Sequence, residues 1–173
     1  LAQKGIKVCI IEKETLPRYK TCGGGFVYRG RKNLPIDISS VIEREFHQVD
    51  NYIGKQCYTI SRENPVITLI MRDTFDHLIV KEAQKSGIDL LQNHKLTGIN
   101  QSEEHVVCKT SQGDIQAKFL IAADGVLSPT AKLAGWTKET RNLIPALEYE
   151  VTVPKEDFDR LSKNVRFDFD AAP

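Results

Sequence analysis

At 173 residues the chain can bury a substantial core, as one domain or as parts of two. Its apolar share of 40% and charged share of 27% are ordinary for a globular protein. A net charge of +1 with no basic stripe excludes nucleic acid as a partner, and no apolar run approaches the ~20 residues that span a bilayer.

In chain order, residues 1–5 read as the last turn of a helix with Gly5 as its left-handed cap. Ile6, Val8, Cys9, Ile10 and Ile11 form a short apolar run, the pattern of a strand covered on both faces. The run stops at Glu12. A loop follows with Lys13, Arg18 and Lys20, cations suited to a phosphate or simply to water. Cys22 then precedes Gly23, Gly24 and Gly25, where the lack of a Cβ lets backbone approach a flat ligand. Residues 26–34 suit a short helix ending before Pro35, and Asp37 to Ser40 suit the cap of another over 41–47. From 49 to 71 the pattern changes to strands, with a hairpin turn expected at Glu63-Asn64-Pro65, in a separate antiparallel sheet.

Residues 73–86 carry the clearest helical period, through Phe75, Leu78, Ile79 and Ala83, with Gly87 as the stop. A buried parallel strand is expected at 88–91, then a meander over 95–101, 105–110 and 115–122 with a turn at 111–114. Ser128-Pro129 opens a short helix to 134. Strands are expected at 143–153 and 165–169. The opening Leu-Ala-Gln-Lys-Gly has neither an initiator Met nor a targeting pattern.

Four candidate chemistries stand out. An acidic residue at the tip of a parallel strand accepts hydrogen bonds from a dinucleotide's ribose, a role open to Glu12; an ordinary solvated strand tip is the alternative. Arg72, between an apolar strand and a helix start, offers a planar fork for a pyrophosphate, or pairs at the surface with Asp73 or Asp76. Asp124-Gly125 lies after the apolar stretch FLIAA, at the ligand side of an open α/β sheet, although Asp-Gly is also a frequent turn pair. Cys22 is either a thiol able to donate a proton or a small packed residue. Cys9, Cys22, Cys57 and Cys108 lack C-x-x-C or Cys/His ligand spacing, so free thiols in a reducing cytoplasm are expected and no metal is. His47, His77, His94 and His105 form no constellation.

The stretch IKVCIIEK followed by LPRYKTCGGG resembles the geranylgeranyl reductase family of flavoproteins, within the group sharing the para-hydroxybenzoate hydroxylase fold. Arg72-Asp-Thr-Phe-Asp76 with Leu78, and Ala122-Ala-Asp-Gly-Val-Leu-Ser128, resemble the same group in the same order, and the likeness covers about residues 1–135. It implies an α/β, Rossmann-like FAD/NAD(P)-binding fold (three-layer ββα) with part of an antiparallel-sheet substrate domain. The FAD-binding domain would take 1–47 and 72–135, and the substrate domain 48–71 and 136–173.

The resemblance also implies FAD as cofactor, held by Glu12, Lys13, Gly23, Gly24, Arg72, the backbone of Leu96, and Asp124 with Gly125. Cys22 would serve as the proton donor. The implied activity is reduction of C=C bonds in an isoprenoid or lipid substrate, with NAD(P)H or a donor protein supplying electrons. The setting would be cytoplasmic, with peripheral membrane contact. An aromatic hydroxylase or halogenase of the same fold, or a non-catalytic fragment, are the alternatives. The family's G-x-G-x-x-G, its later Gly-Asp motif and its Y/G-x-W-x-F-P segment are absent from the sequence. The glycine loop belongs roughly 20 residues before the ribose acid, so the chain is expected to be a fragment.

Overall fold

The computed structural model of the protein describes residues 1–136 and 143–170. They form two compact units, Leu1–Arg18 with Lys81–Ala146, and Tyr19–Val80 with Leu147–Pro173.

In the first unit, β1 (Cys9–Ile11) pairs in parallel with β7 (Asp89–Leu91), Cys9 opposite Asp89 and Ile11 opposite Leu91. The strand is half as long as the apolar run, and Ile6 is exposed. Before it, a 3-10 turn over Ala2–Lys4 ends at Gly5, whose φ of 76° is the left-handed cap expected. An antiparallel meander follows: β8 (Leu96–Gln101), β9 (Val106–Thr110) and β10 (Gly113–Ala117). Alternation on β9 turns Val106 and Cys108 inward, where both are buried. A helix, α3 (Pro129–Leu133), packs on β8 with Ala131 buried. A parallel pair beside an antiparallel meander is the mixed α/β, Rossmann-like arrangement expected of an FAD/NAD(P)-binding fold.

In the second unit, β2 (Gly25–Val27), β6 (Ile67–Ile70) and β3 (Ile42–Phe46) make an antiparallel sheet in the order β2-β6-β3. Ile38, Ile70 and Phe75 form its buried core, closed by Phe26, Ile36, Ile42 and Leu78. Phe75 comes from α2 (Arg72–Lys85), a fourteen-residue helix that ends before Gly87 at φ 84°. The second sheet of this unit joins β4 (Gln48–Ile53) to β5 (Gln56–Ser61) as a hairpin, with β11 (Val165–Asp168) parallel to β4. A short helix, α4 (Lys155–Leu161), precedes β11.

Four expectations fail for identifiable reasons. The helix expected over 41–47 is strand β3. Asp37 accepts from the Ser39 amide at 2.9 Å, but the 3-10 turn that follows has Ile38 at its start without a side-chain cap and ends at Val41. From Ile42 on, burial alternates with period two and pairing with β6 prevails over the cap signal. The hairpin expected at 63–65 closes instead at Gly54 (φ 58°), while Ile67–Ile70 pairs with β2 and β3. The helix over 26–34 shrinks to α1 (Tyr28–Lys32), because Gly25–Val27 pairs with β6. Residues 118–122 and 143–153 contain no strand. No described strand pairs with them, and Phe119 is 87% and Ile144 94% exposed.

Candidate functional site

Each unit carries part of the expected constellation. In the first, the Glu12 amide donates to the Leu91 carbonyl at 2.9 Å, so the residue ends β1 on the same ladder. Its carboxylate accepts from the Glu14 amide at 3.0 Å and from Arg18 Nε at 3.2 Å. A carboxylate has about four lone-pair sites, so these two bonds leave room for a hydroxyl-bearing ligand. Lys13 reaches outward and pairs with Glu14 at 3.5 Å, an exposed contact of little energy. Leu96 starts β8 opposite Thr110, and the register shifts between Leu96 and Gly98.

Asp124 is committed to the start of α3. It accepts the Ser128 hydroxyl and, at 2.8 Å, the Thr130 amide, while the Ser128 oxygen accepts from the Ala131 amide at 2.9 Å. Two orphan donors of the helix start are thereby satisfied. Desolvation works against ionisation of Asp124, but the hydrogen bonds from Ser128 and Thr130 outweigh it and hold its pKa below the usual value. Gly125 has a φ of 88° with nothing within 4 Å of the place a Cβ would take.

The second unit brings together Cys22 and Arg72, fifty residues apart in sequence. The thiol is exposed, outside the hydrophobic core. Its pKa is lowered, first by the Gly24 backbone N–H and then by the Arg72 guanidinium, against desolvation and the Glu148 carboxylate. Arg72 is itself clamped: Nε donates to Asp76 Oδ1 at 2.8 Å and Nη2 to Oδ2 at 3.1 Å, a bidentate pair one helical turn apart on α2. Asp76 first, then Cys22, raises the Arg72 pKa. The Cys22 amide donates to Glu148 Oε2 at 2.6 Å. Gly24 is buried under the Ile70 backbone, whereas Gly23 has open space beside it.

Glu148 is absent from the candidate set drawn from sequence, and Asp76 figures there only as a surface partner of Arg72, at the i, i+4 spacing that favours such a pair. Nothing local marks Glu148, whose partner lies 126 residues away. Among the described residues no group of His, Cys, Asp and Glu could hold a metal ion, and no helix is long and apolar enough to cross a membrane.

The donor set fits FAD on three counts. Glu12 retains acceptor capacity at a strand tip, and Gly125 and Gly23 leave open space for close backbone approach. The comparisons point to the same cofactor. An uncharacterised protein of Methanosarcina barkeri is 27% identical over all of this chain, which spans 44% of that protein. Protein FixC of Salmonella typhimurium is 26% identical over 90% of the chain, which spans 40% of it. The crystal structure of a geranylgeranyl bacteriochlorophyll reductase-like protein from Thermoplasma acidophilum matches 78% of the chain and 37% of its own, at 26% identity and a TM-score of 0.68. The chain thus spans less than half of each. The profile of the FAD binding domain family matches residues 38–169, and the chain belongs to that family.

Proposed function

We propose that the protein is part of an FAD-dependent oxidoreductase that saturates C=C bonds in an isoprenoid chain of the geranylgeranyl type. The observation that carries this reading is the environment of Cys22: an exposed thiol beside a glycine turn, acidified by the Gly24 N–H and Arg72. The likeness to a reductase-like structure supports it. Bound, reduced FAD supplies the hydride that reaches one alkene carbon. Cys22 gives the thiol proton to the other carbon, and its thiolate is stabilised by Gly24 and Arg72 until solvent reprotonates it. The residues proposed to contact the cofactor are Glu12, Lys13, Gly23, Gly24, Arg72, Leu96, Asp124 and Gly125. NAD(P)H or a donor protein returns the electrons, and a lipid substrate brings the enzyme to a membrane surface.

Cys22→Ser in the full-length protein tests the reading. Serine keeps the size but is a far weaker acid, so alkene reduction should slow by roughly 10²–10⁴-fold. Flavin reduction by the electron donor should continue at its normal rate. The rate should also fall as pH rises through the Cys22 pKa, which lies below the ordinary thiol value, because only the protonated form donates. Unslowed alkene reduction in the serine variant eliminates Cys22 as the acid. Equal slowing of both half-reactions reassigns it to structure. Oxygen consumption coupled to substrate oxygenation would move the protein to the hydroxylase class.

A further inference from the structure

The functional reading assigns Asp76 no part, yet both of its oxygens hold Arg72. An unrestrained arginine side chain has many rotamers and rarely dwells in one place. The bidentate contact uses Nε and Nη2, which fixes the plane of the guanidinium as well as its position. The pair is also sheltered, with side chains 28% and 16% exposed, so solvent screens it less than a surface pair. The antiparallel register Gly25↔Leu69, continued by the Ile70 amide donating to the Gly24 carbonyl at 3.1 Å, brings the chain at Cys22 alongside Arg72, and the Cys22 amide donates to Glu148. Among the described residues these two, Arg72 from α2 and Glu148 from the 143–153 stretch, are the charged groups acting on the Cys22 thiol, in opposite senses.

From this arrangement we propose that Asp76 is a positioning residue: its clamp fixes the Arg72 guanidinium beside Cys22, so that the cation faces the thiol. The proposal rests on the reading of Cys22 as proton donor, and it adds how that donor is tuned. Two physical roles for Asp76 predict opposite signs. If Asp76 only neutralised Arg72, removing its charge would expose more positive field to Cys22 and make the thiol more acidic. If it positions Arg72, removing it lets the guanidinium wander, and the thiol reverts toward ordinary acidity.

The test is iodoacetamide labelling of the full-length protein across pH, resolved peptide by peptide so that Cys22 is read apart from Cys9, Cys57 and Cys108. Asp76→Asn should shift the Cys22 titration upward and slow labelling at pH 7 by about threefold for each pKa unit, because thiolate loss outweighs the gain in nucleophilicity. Arg72→Ala should slow it at least as much, and Asp76→Asn should add nothing in that background. Arg72→Lys keeps the charge but loses the fork, and it should also label slowly. Faster or unchanged labelling in Asp76→Asn, an additive double variant, or normal labelling in Arg72→Lys overturns the proposal. Rapid labelling of buried Cys108 would expose a misfolded variant, and the Arg72→Lys result then decides. Intact alkene reduction in Cys22→Ser would remove the functional reading while leaving this labelling pattern in place.

Discussion

Gly24 is buried with a φ of 67°, and a Cβ built on it would collide with the Ile70 carbonyl oxygen. The Ile70 amide donates to the Gly24 carbonyl at 3.1 Å, so neither backbone can retreat without breaking the approach of β2 to β6. Gly24→Ala should therefore destabilise the protein by about 2 kcal/mol or more, from left-handed strain with the clash added. Urea unfolding measures this, and an alanine variant as stable as the parent would show that the turn can shift. The three glycines were visible in the sequence, and a flat ligand was one reason for them. The crowding at Gly24 was not visible, because it depends on Ile70, forty-six residues away in sequence. Arg72 shows the same limit. Its surface pair with Asp76 was legible as the alternative to a phosphate-binding fork, whereas its nearness to Cys22, fifty residues away, was not.

At the scale of elements, α3 is five residues long and depends on its first turn. Ser128 and Asp124 together satisfy the amides of Ala131 and Thr130, with Pro129 where a missing N–H costs nothing. Ser128→Ala should cost about 1 kcal/mol, within the usual range for a lost cap, and denaturant melting should register it. The Asp124 pKa is depressed in the folded state, so its stabilising share is present above the unfolded carboxylate value and disappears as pH falls through the folded one. Asp124→Asn should flatten that part of the pH–stability curve. This helix was legible because its start is written in two consecutive residues, Ser128 and Pro129. Strand β3 was not. Asp37 accepts from the Ser39 amide but caps no helix, and the partner strand β6, twenty-odd residues later, turns the following residues into sheet.

At the scale of the whole molecule, the parallel pair β1–β7, the meander and the Gly87 stop could be read from periodicity, because each is locally patterned. The environment of Cys22 could not, since residues 22, 72 and 148 meet only in the folded chain. That dependence makes the cysteines opposed reporters of folding. Burial makes Cys108, in the first unit, less acidic, whereas the partners of Cys22, in the second, make it more so. On unfolding, both revert to ordinary exposed thiols. A thiol-specific reagent at neutral pH should thus modify Cys108 faster as the protein unfolds and Cys22 more slowly. One titration of denaturant would follow each unit by its own cysteine, and a gap between the two midpoints would measure how independently the halves of the chain melt.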